Sequence, residues 1–307
     1  MKLPTIKQLQ YFISLEKHQH FGNAAKACFV SQSAFSVAIK EFENHLGTQL
    51  VDRTNKRVTI TATGRDIATQ ARLCLQDVEY LTELARSNQQ PLTGKLSLGI
   101  IPTIAPFLLP KLMAALSLNY PNLKLYLRED TTQSVHKYLL SGELDIILIA
   151  LPYTLSSIEI MPLFEDKFLL ACNKNSKILQ PDHYDIDKLP SESILLLEDG
   201  HCLRDHALSA CHIKNQESVS HFSASSLLTL VGMVDADIGI TYLTEISQGS
   251  TLLQNTDVQT YPLADASCRK IGLAWRKGSS RFEEFKLLGK LVKNLGYQLK
   301  AGQSVNS

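Results

Sequence analysis

The feature that most constrains the fold is an apolar pattern between residues 31 and 47. Four apolar residues recur at spacings of four, three and four: Phe35, Ile39, Phe42 and Leu46. This spacing predicts an amphipathic helix with one buried face. Ser31 precedes it as a predicted N-cap, and Gly47 follows where a left-handed residue commonly ends a helix. Such a helix needs partner helices, which the preceding residues should supply.

Two shorter helical patterns precede this one. The first spans about residues 6–13, and the second runs from Phe21 to Val30, with small residues where another helix must approach closely. Two helices joined by a tight turn, the second of them capped, predict a helix-turn-helix. Residues 50–54 and 57–60 then have the pattern of two short strands around Asn55-Lys56. These strands predict a wing, and the unit should end near residue 61.

Polar and basic residues occupy the faces that this unit would expose. The recognition helix carries Gln32, Ser33, Ser36 and Lys40, and the wing carries Arg53, Lys56 and Arg57. A glutamine amide can pair with adenine, serine can bond several bases, and basic side chains bind phosphates. Residues 1–60 hold eight Lys or Arg against four Asp or Glu, whereas the other 247 residues hold 23 against 26. We therefore expect residues 1–61 to bind double-stranded DNA. The alternative is a small three-helix packing unit with a solvated polar face.

Residues 62–90 have the pattern of a dimerising linker helix. Six residues alternate four and three apart: Ile67, Ala71, Cys74, Val78, Leu81 and Ala85. This spacing is typical of the seam of a two-helix coiled coil, which predicts a homodimer. The alternative is that the helix packs on its own chain. Polar residues and Pro91 then end the helix pattern, so a third domain should cover 91–307.

Short strands alternate with helices in this third domain, which predicts an α/β fold. Its length suits two subdomains around a cleft, one of about 92–164 with 269–300 and one of about 165–268. Ligands in such folds bind at the carboxyl ends of strands, so the loops holding Thr103 and Thr132 are candidate pocket residues. The sequence contains none of the common nucleotide-binding, zinc-protease or nucleophile-elbow motifs, so we expect no catalytic, metal or cofactor site.

Composition places the chain among ordinary globular proteins. Hydrophobic residues make up 44% and charged residues 20%, and no apolar run approaches the roughly 18 residues that span a bilayer. The N-terminus has no signal-peptide pattern, so we expect a cytoplasmic protein without membrane contact. Cytoplasmic thiols stay reduced, so we do not expect the six cysteines to form structural disulfides. Cys28, Cys74, Cys172 and Cys268 are expected to be structural.

One segment, from Leu196 to Cys211, stands apart. A strand ends, Gly200 turns the chain, and a helix is predicted to begin near Cys202. The positive end of that helix, with His201 and Arg204 adjacent, favours the reactive thiolate. If the helix continued, the α-carbons of Cys202 and Cys211 would be roughly 13 Å apart, whereas a disulfide needs about 7 Å. Spacing alone is compatible with two interpretations. The two cysteines are either unrelated thiols or a redox pair whose oxidation would unwind the helix.

The residues from Phe21 to Gly64 resemble the winged helix-turn-helix of LysR-type transcriptional regulators. The matching residues are Ala24-Ala25, Val30-Ser31-Gln32, Leu46-Gly47, Leu50, Arg53 and Thr61-Ala62-Thr63-Gly64. Ser33, Phe35 and Ala38 stand where Pro, Leu and Gln are usual, which bears on the operator sequence. The resemblance implies an effector domain similar to periplasmic binding proteins, RNA polymerase as a partner, and a homotetramer.

The six residues Gly200 to Asp205, with Cys211 nine residues after Cys202, resemble the redox motif of the peroxide-sensing OxyR branch of this family. The resemblance implies that Cys202 is peroxidatic and Cys211 resolving, with glutaredoxin or thioredoxin as reductant. It also implies a hydrogen peroxide pocket formed by Thr103, Thr132, His201, Arg204 and Asp205, with His221 a weaker candidate. His206, Ser209 and Ala210 differ from the commonest residues of the branch.

The expected function is therefore that of a transcriptional activator of oxidative-stress genes, not an enzyme. A LysR-type regulator that answers a small metabolite in the inter-subdomain cleft is the first alternative. A thiol peroxidase that turns over at Cys202 is the second, and the basic N-terminal unit disfavours it.

Overall fold

The computed structural model describes residues 3–54, 57–86, 91–154, 157–178, 189–210, 216–263 and 268–301. The chain divides into two compact units, one drawn from residues 1–90 with 140–143 and the other from 91–139 with 144–307.

The N-terminal unit is built of four helices and a two-stranded antiparallel wing. Its elements are α1 (Ile6–His18), α2 (Phe21–Ala27), α3 (Gln32–Leu46), β1 (Val51–Thr54), β2 (Arg57–Ile60) and α4 (Ala62–Arg86). The N-cap of α3 is Ser31, whose hydroxyl accepts from the backbone N–H of Ala34 at 3.3 Å, and Gly47 ends the helix at a φ of 66°. The predicted recognition helix and its two caps are confirmed.

The helix α2 is shorter than the sequence pattern predicts. It ends at Ala27 because Phe29 adopts the left-handed conformation, with a φ of 57°, so residues 28–30 form the turn into α3. Phe12, Phe35 and Phe42 are fully buried and centre the core of this unit. Gly64 in α4 lies so close to the residue before β1 that an added Cβ would be 2.3 Å from the carbonyl oxygen of Leu50.

The C-terminal unit is an α/β fold around a mixed sheet with the strand order β10-β6-β11-β5-β3-β4, in which β9 also pairs with β6. Its elements are β3 (Gly94–Ile100), α5 (Ala105–Asn119), β4 (Leu123–Glu129), α6 (Thr132–Leu140), β5 (Ile146–Leu151), β6 (Ile158–Asn173), β7 (Ile194–Leu197), α7 (Cys202–Ala210), β8 (Val219–Ala224), α8 (Leu227–Asp235), β9 (Thr241–Thr244), β10 (Val258–Pro262), β11 (Cys268–Arg276) and α9 (Phe282–Ala301).

The continuous apolar run of residues 146–151, which is typical of a buried parallel strand, forms β5, but this strand is parallel to its neighbour on one side only. It pairs in parallel with β3 and antiparallel with β11. A separate two-stranded sheet joins β7 and β8 in parallel. The fold thus has the predicted α/β class, with β11 antiparallel to both of its neighbours in the centre of the sheet and β9 and β10 antiparallel to β6.

The long strand β6 organises the C-terminal unit. Residues 158–167 pair with β11, and residues from 168 onward pair with β9 and β10 instead. The sequence pattern predicts only the apolar part, residues 168–172, because Pro162 and several charged residues interrupt the earlier part. Pro162 is tolerated because the register shifts between its partner Gly272 and Ile271, a bulge where a ladder hydrogen bond is not required. Residues 166 and 269 lie opposite each other in the β6–β11 pair, just before β6 leaves β11 and pairs with β9 and β10.

Candidate functional site

The helix α7 begins at Cys202, as predicted, directly after the turn that follows β7. Gly200 in this turn has a φ of 96°, a conformation that glycine adopts without strain. The nearest neighbour of a Cβ added at Gly200 would be the Cγ2 atom of Thr131 at 3.9 Å, so the turn lies beside the start of α6. Cys202 is buried at the N-terminal end of α7, where the partial positive charge of the helix favours an anion. The geometry places Cys202 at a helix N-terminus, shielded from bulk solvent.

The charged residues beside Cys202 contact the turn. The Arg204 Nε atom lies 3.0 Å from the Asp199 Oδ1 atom, and its Nη1 donates to the Leu197 carbonyl oxygen at 3.2 Å. His201 is buried, with its Nε2 atom 4.0 Å from the Glu198 carboxylate. Asp205 is exposed. Arg204 thus braces the loop before Cys202 and Asp205 faces solvent, and their part in the pocket stays a prediction.

A buried arginine, which the sequence patterns did not single out, holds one of the predicted pocket residues. The Arg269 Nε atom lies 2.9 Å from the Asp166 Oδ2 atom across the β6–β11 pair, and both side chains are fully buried. Arg269 also donates to the Thr103 hydroxyl at 2.9 Å and to the Thr103 carbonyl oxygen at 3.0 Å. A third contact joins it to the Thr244 hydroxyl at 3.3 Å. The guanidinium thereby fixes Thr103 from both its side chain and its backbone.

The two threonines expected in the pocket are both buried, and each retains hydrogen-bonding capacity. The Thr103 oxygen accepts from Arg269, which leaves its own proton available to a ligand. The Thr132 hydroxyl, on the first residue of α6, has no hydrogen-bond partner among the described residues. A buried hydroxyl without a partner is costly, so a small polar ligand that bonded it would be stabilised.

His206 lies one helical turn after Cys202 on α7, and it is buried. Its Nε2 atom is 3.1 Å from the Pro152 carbonyl oxygen, while its Nδ1 atom has no partner among the described residues. Burial, and more weakly the charge of Arg269, lowers the pKa of His206 below its usual range. The histidine is therefore neutral in the folded protein at pH 7, with its proton on Nε2, which donates to Pro152. The α7 helix that carries it packs on β11, the strand of Arg269.

The remaining candidates have different surroundings. His221 is 94% exposed on β8, which places it in solvent rather than in a pocket. Cys172 is fully buried, and burial followed by the Asp237 carboxylate raises the pKa of its thiol. Cys28 and Cys268 are half-buried, and Cys74 is exposed in the single chain. Cys211 lies outside the described residues.

The residues predicted to contact DNA differ in exposure, and some lie outside the described residues. Gln32, Ser33 and Lys40 are exposed on α3, and Ser36 is half-buried. Lys56 and the side chains of Arg53 and Arg57 lie outside the described residues.

No cluster of potential metal ligands occurs in the part of the chain that the structure describes. None of the described helices has the length and apolar character needed to cross a membrane.

Comparison with known families matches both units. Residues 6–65 match the bacterial regulatory helix-turn-helix of the lysR family, and residues 89–294 match the LysR substrate binding domain. The chain belongs to the LysR family of transcriptional regulators. This LysR-family regulator is 37% identical over 294 residues to the HTH-type transcriptional regulator EstR of Acinetobacter baylyi. The alignment covers 95% of this chain and 97% of that protein.

The LysR-family regulator is also similar to hydrogen peroxide-inducible activators. It is 36% identical over 282 residues to the hydrogen peroxide-inducible genes activator of Escherichia coli O157:H7, covering 91% of this chain and 92% of the relative. The full-length structure of an OxyR cysteine-to-aspartate variant from Pseudomonas aeruginosa is 31% identical with a TM-score of 0.78, covering 95% of this chain and 96% of that one. These relatives are transcriptional regulators rather than enzymes.

Proposed function

We propose that this LysR-family regulator senses hydrogen peroxide in the cytoplasm through Cys202 and Cys211 and activates oxidative-stress genes. One observation carries the proposal. Cys202 is buried at the first residue of α7, in a unit where Arg269 holds Thr103 and where the Thr132 hydroxyl has no partner among the described residues. The similarity to a hydrogen peroxide-inducible activator supports the same effector.

The proposed reaction balances in two steps. The Cys202 thiolate attacks one oxygen of hydrogen peroxide, the O–O bond breaks, and the departing hydroxide takes a proton to leave as water, which produces a sulfenic acid. The Cys211 thiol then attacks that sulfur, a second water leaves, and a disulfide forms. Thr103, Thr132 and His201 would hydrogen-bond the peroxide and the departing hydroxide. A cellular dithiol such as glutaredoxin or thioredoxin would reverse the oxidation.

The length of α7 is the reason that oxidation would change the structure. The helix runs to Ala210, immediately before Cys211. Nine helical residues would separate two α-carbons by roughly 13 Å, beyond the reach of a disulfide. Formation of the bond would therefore require α7 to unwind, and this rearrangement would be passed to the DNA-binding unit.

Dimer formation through α4 is part of the proposal. Leu81 is 65% exposed and Cys74 is exposed in the single chain, although both lie on the predicted seam. A second copy packing along this seam would cover them. Tetramer formation and contact with RNA polymerase are proposed from the family resemblance. Light scattering of the full chain, compared with its Leu81→Lys variant, tests the dimer.

DNA footprinting of the full chain with and without peroxide tests the proposed function. We expect peroxide to change the protected region in the wild type and in Cys172→Ser, but not in Cys202→Ser. Cys211→Ser should bind DNA and fail to hold the oxidised footprint. A Cys202→Ser protein that still responded to peroxide would overturn the proposal.

A small-molecule effector is the second candidate, and one observation favours it. A cavity of about 420 Å³ in the C-terminal unit is lined by residues that include Pro102, Phe107, Glu129, Ser226 and Leu228. The similarity to EstR, which is not named as a peroxide regulator, adds to it. On this alternative, Cys202→Ser keeps full induction, and a metabolite changes the footprint in the absence of peroxide.

A further inference from the structure

The exposed face of α3 carries an apolar side chain at its centre. Seven residues of α3 are exposed: Gln32, Ser33, Ala34, Val37, Lys40, Glu41 and Asn44. All are polar except Ala34 and Val37, and Val37 is 58% exposed. At about 100° per residue, Val37 lies about 170° from the middle of the buried stripe of Phe35, Ile39 and Phe42. It therefore points directly away from the core.

A second apolar side chain is exposed beside the start of α3. Phe29, in the turn between α2 and α3, is 96% exposed and adopts a left-handed backbone conformation that is unfavourable for a bulky residue. Single exposed apolar residues are common, but neither Phe29 nor Val37 contributes to the core of this unit. Side chains held in this way on a helix-turn-helix suit a partner that covers them, and the polar residues around Val37 are those that bind base edges.

We infer that Val37 reads the C5 methyl group of a thymine in the major groove. This inference rests on the proposed DNA-binding role of α3 and adds a specificity-determining residue to it. Thymine presents the one apolar group among the base edges of the major groove, and apolar side chains recognise it by contact. Glu41, Lys40 and Ser33 cannot replace that contact, because their exposed ends are polar or charged.

The spacing along α3 also predicts part of the operator. Gln32 and Val37 are five residues apart, which is roughly 7.5 Å along the helix axis. Base pairs rise by about 3.4 Å, so this distance spans about two base-pair steps. Gln32 is suited to adenine. Each half-site should therefore contain an adenine, read by Gln32, and a thymine within about two base pairs of it, read by Val37.

The test replaces thymine with deoxyuridine, which differs only in lacking the methyl group. A binding site is first selected from a random duplex pool with the full chain, and each thymine is then replaced singly. We expect one replacement per half-site to weaken wild-type binding about fourfold, the effect of leaving one methyl group uncovered. The Val37→Ala variant should bind the unmodified site about as weakly and lose nothing further on that replacement.

Two further variants sharpen the result. Val37→Thr keeps the shape and one methyl group, and it should show an intermediate penalty. Asn44→Ala changes an exposed residue of the same helix, two turns further on, and it should keep the full wild-type penalty. Alanine is a better helix former than valine, so Val37→Ala is expected to fold, and its helical circular dichroism checks this.

The outcomes separate this inference from the function on which it rests. If Val37→Ala shows the wild-type penalty at every thymine, or if no thymine is sensitive in the wild type, the methyl contact is wrong and DNA binding stands. If the wild type selects no duplex at all, the proposed DNA-binding function fails as well.

Discussion

The two units of this regulator differ in how many polar side chains they bury. Among the described residues, the N-terminal unit buries one polar side chain, Gln8, beneath an otherwise apolar core. The C-terminal unit buries a fully paired Arg269 and Asp166 together with several threonines and histidines. Burying such groups is costly unless they are hydrogen-bonded. The difference indicates that the first unit presents its chemistry on its surface and the second holds it in its interior.

The largest effect is expected from breaking the buried ion pair. Asp166→Ala should lower the free energy of unfolding by about 3 to 5 kcal/mol, because it leaves the Arg269 charge buried and unpaired. Guanidinium chloride unfolding of the full chain measures this. The control Glu283→Ala breaks an exposed pair, 3.2 Å from Lys286, and should cost less than about 1 kcal/mol. Equal losses in the two variants would show that burial does not raise the cost of breaking the ion pair.

The next effect concerns chemistry rather than stability. Thr103→Val keeps the shape of the side chain but removes the hydroxyl that Arg269 holds, so the rate at which peroxide oxidises Cys202 should fall by about 100-fold. Thr103→Ser keeps the hydroxyl and should retain most of the rate. Rates are measured by quenching the reduced protein after timed exposure to peroxide and counting free Cys202. An unchanged rate in Thr103→Val would remove Thr103 from the site.

In the N-terminal unit, a change in packing alone should alter the free energy of unfolding. Gly64→Ala places a Cβ 2.3 Å from the Leu50 carbonyl oxygen, so the wing must shift, at a cost of about 1 to 3 kcal/mol. Gly232→Ala, in α8, meets nothing within 4 Å and should stabilise by about 0.5 to 1 kcal/mol. Thermal unfolding of both variants checks the sign. A stabilising Gly64→Ala would contradict the close approach of α4 to Leu50.

The smallest effect is a dependence on pH that arises from His206 in the C-terminal unit. Because burial lowers the pKa of His206, the folded protein resists the proton that the unfolded chain accepts below about pH 6.5. Stability from this residue is therefore complete above that pH and is lost as the pH falls below it. His206→Gln can still donate to Pro152 and cannot titrate, so its stability should fall less between pH 7 and pH 5. Identical pH profiles for the two proteins would show that His206 is not held neutral.

Sequence patterns predicted the structural features that are set by residues close together in the chain. The helix α3 with Ser31 and Gly47, and the start of α7 at Cys202, follow from spacing, caps and turns within a few residues. The early part of β6 was missed because Pro162 and its charged neighbours contradict a strand until a bulge accommodates them. The Arg269–Asp166 pair joins residues 103 positions apart, and no local pattern marks a charge that a distant strand will neutralise. The helix α3 with its caps and the start of α7 were therefore predictable from sequence, whereas the long-range Arg269–Asp166 pair was not.

The most direct test of the central claim is a peroxide titration of the reduced full chain, with the oxidised cysteines mapped by mass spectrometry. The proposed mechanism predicts that Cys202 oxidises first and becomes linked to Cys211, that protease cleavage then increases within α7, and that Cys172 stays reduced at the same dose. Oxidation of Cys202 no faster than of Cys172 or Cys268, with no bond to Cys211, would contradict it.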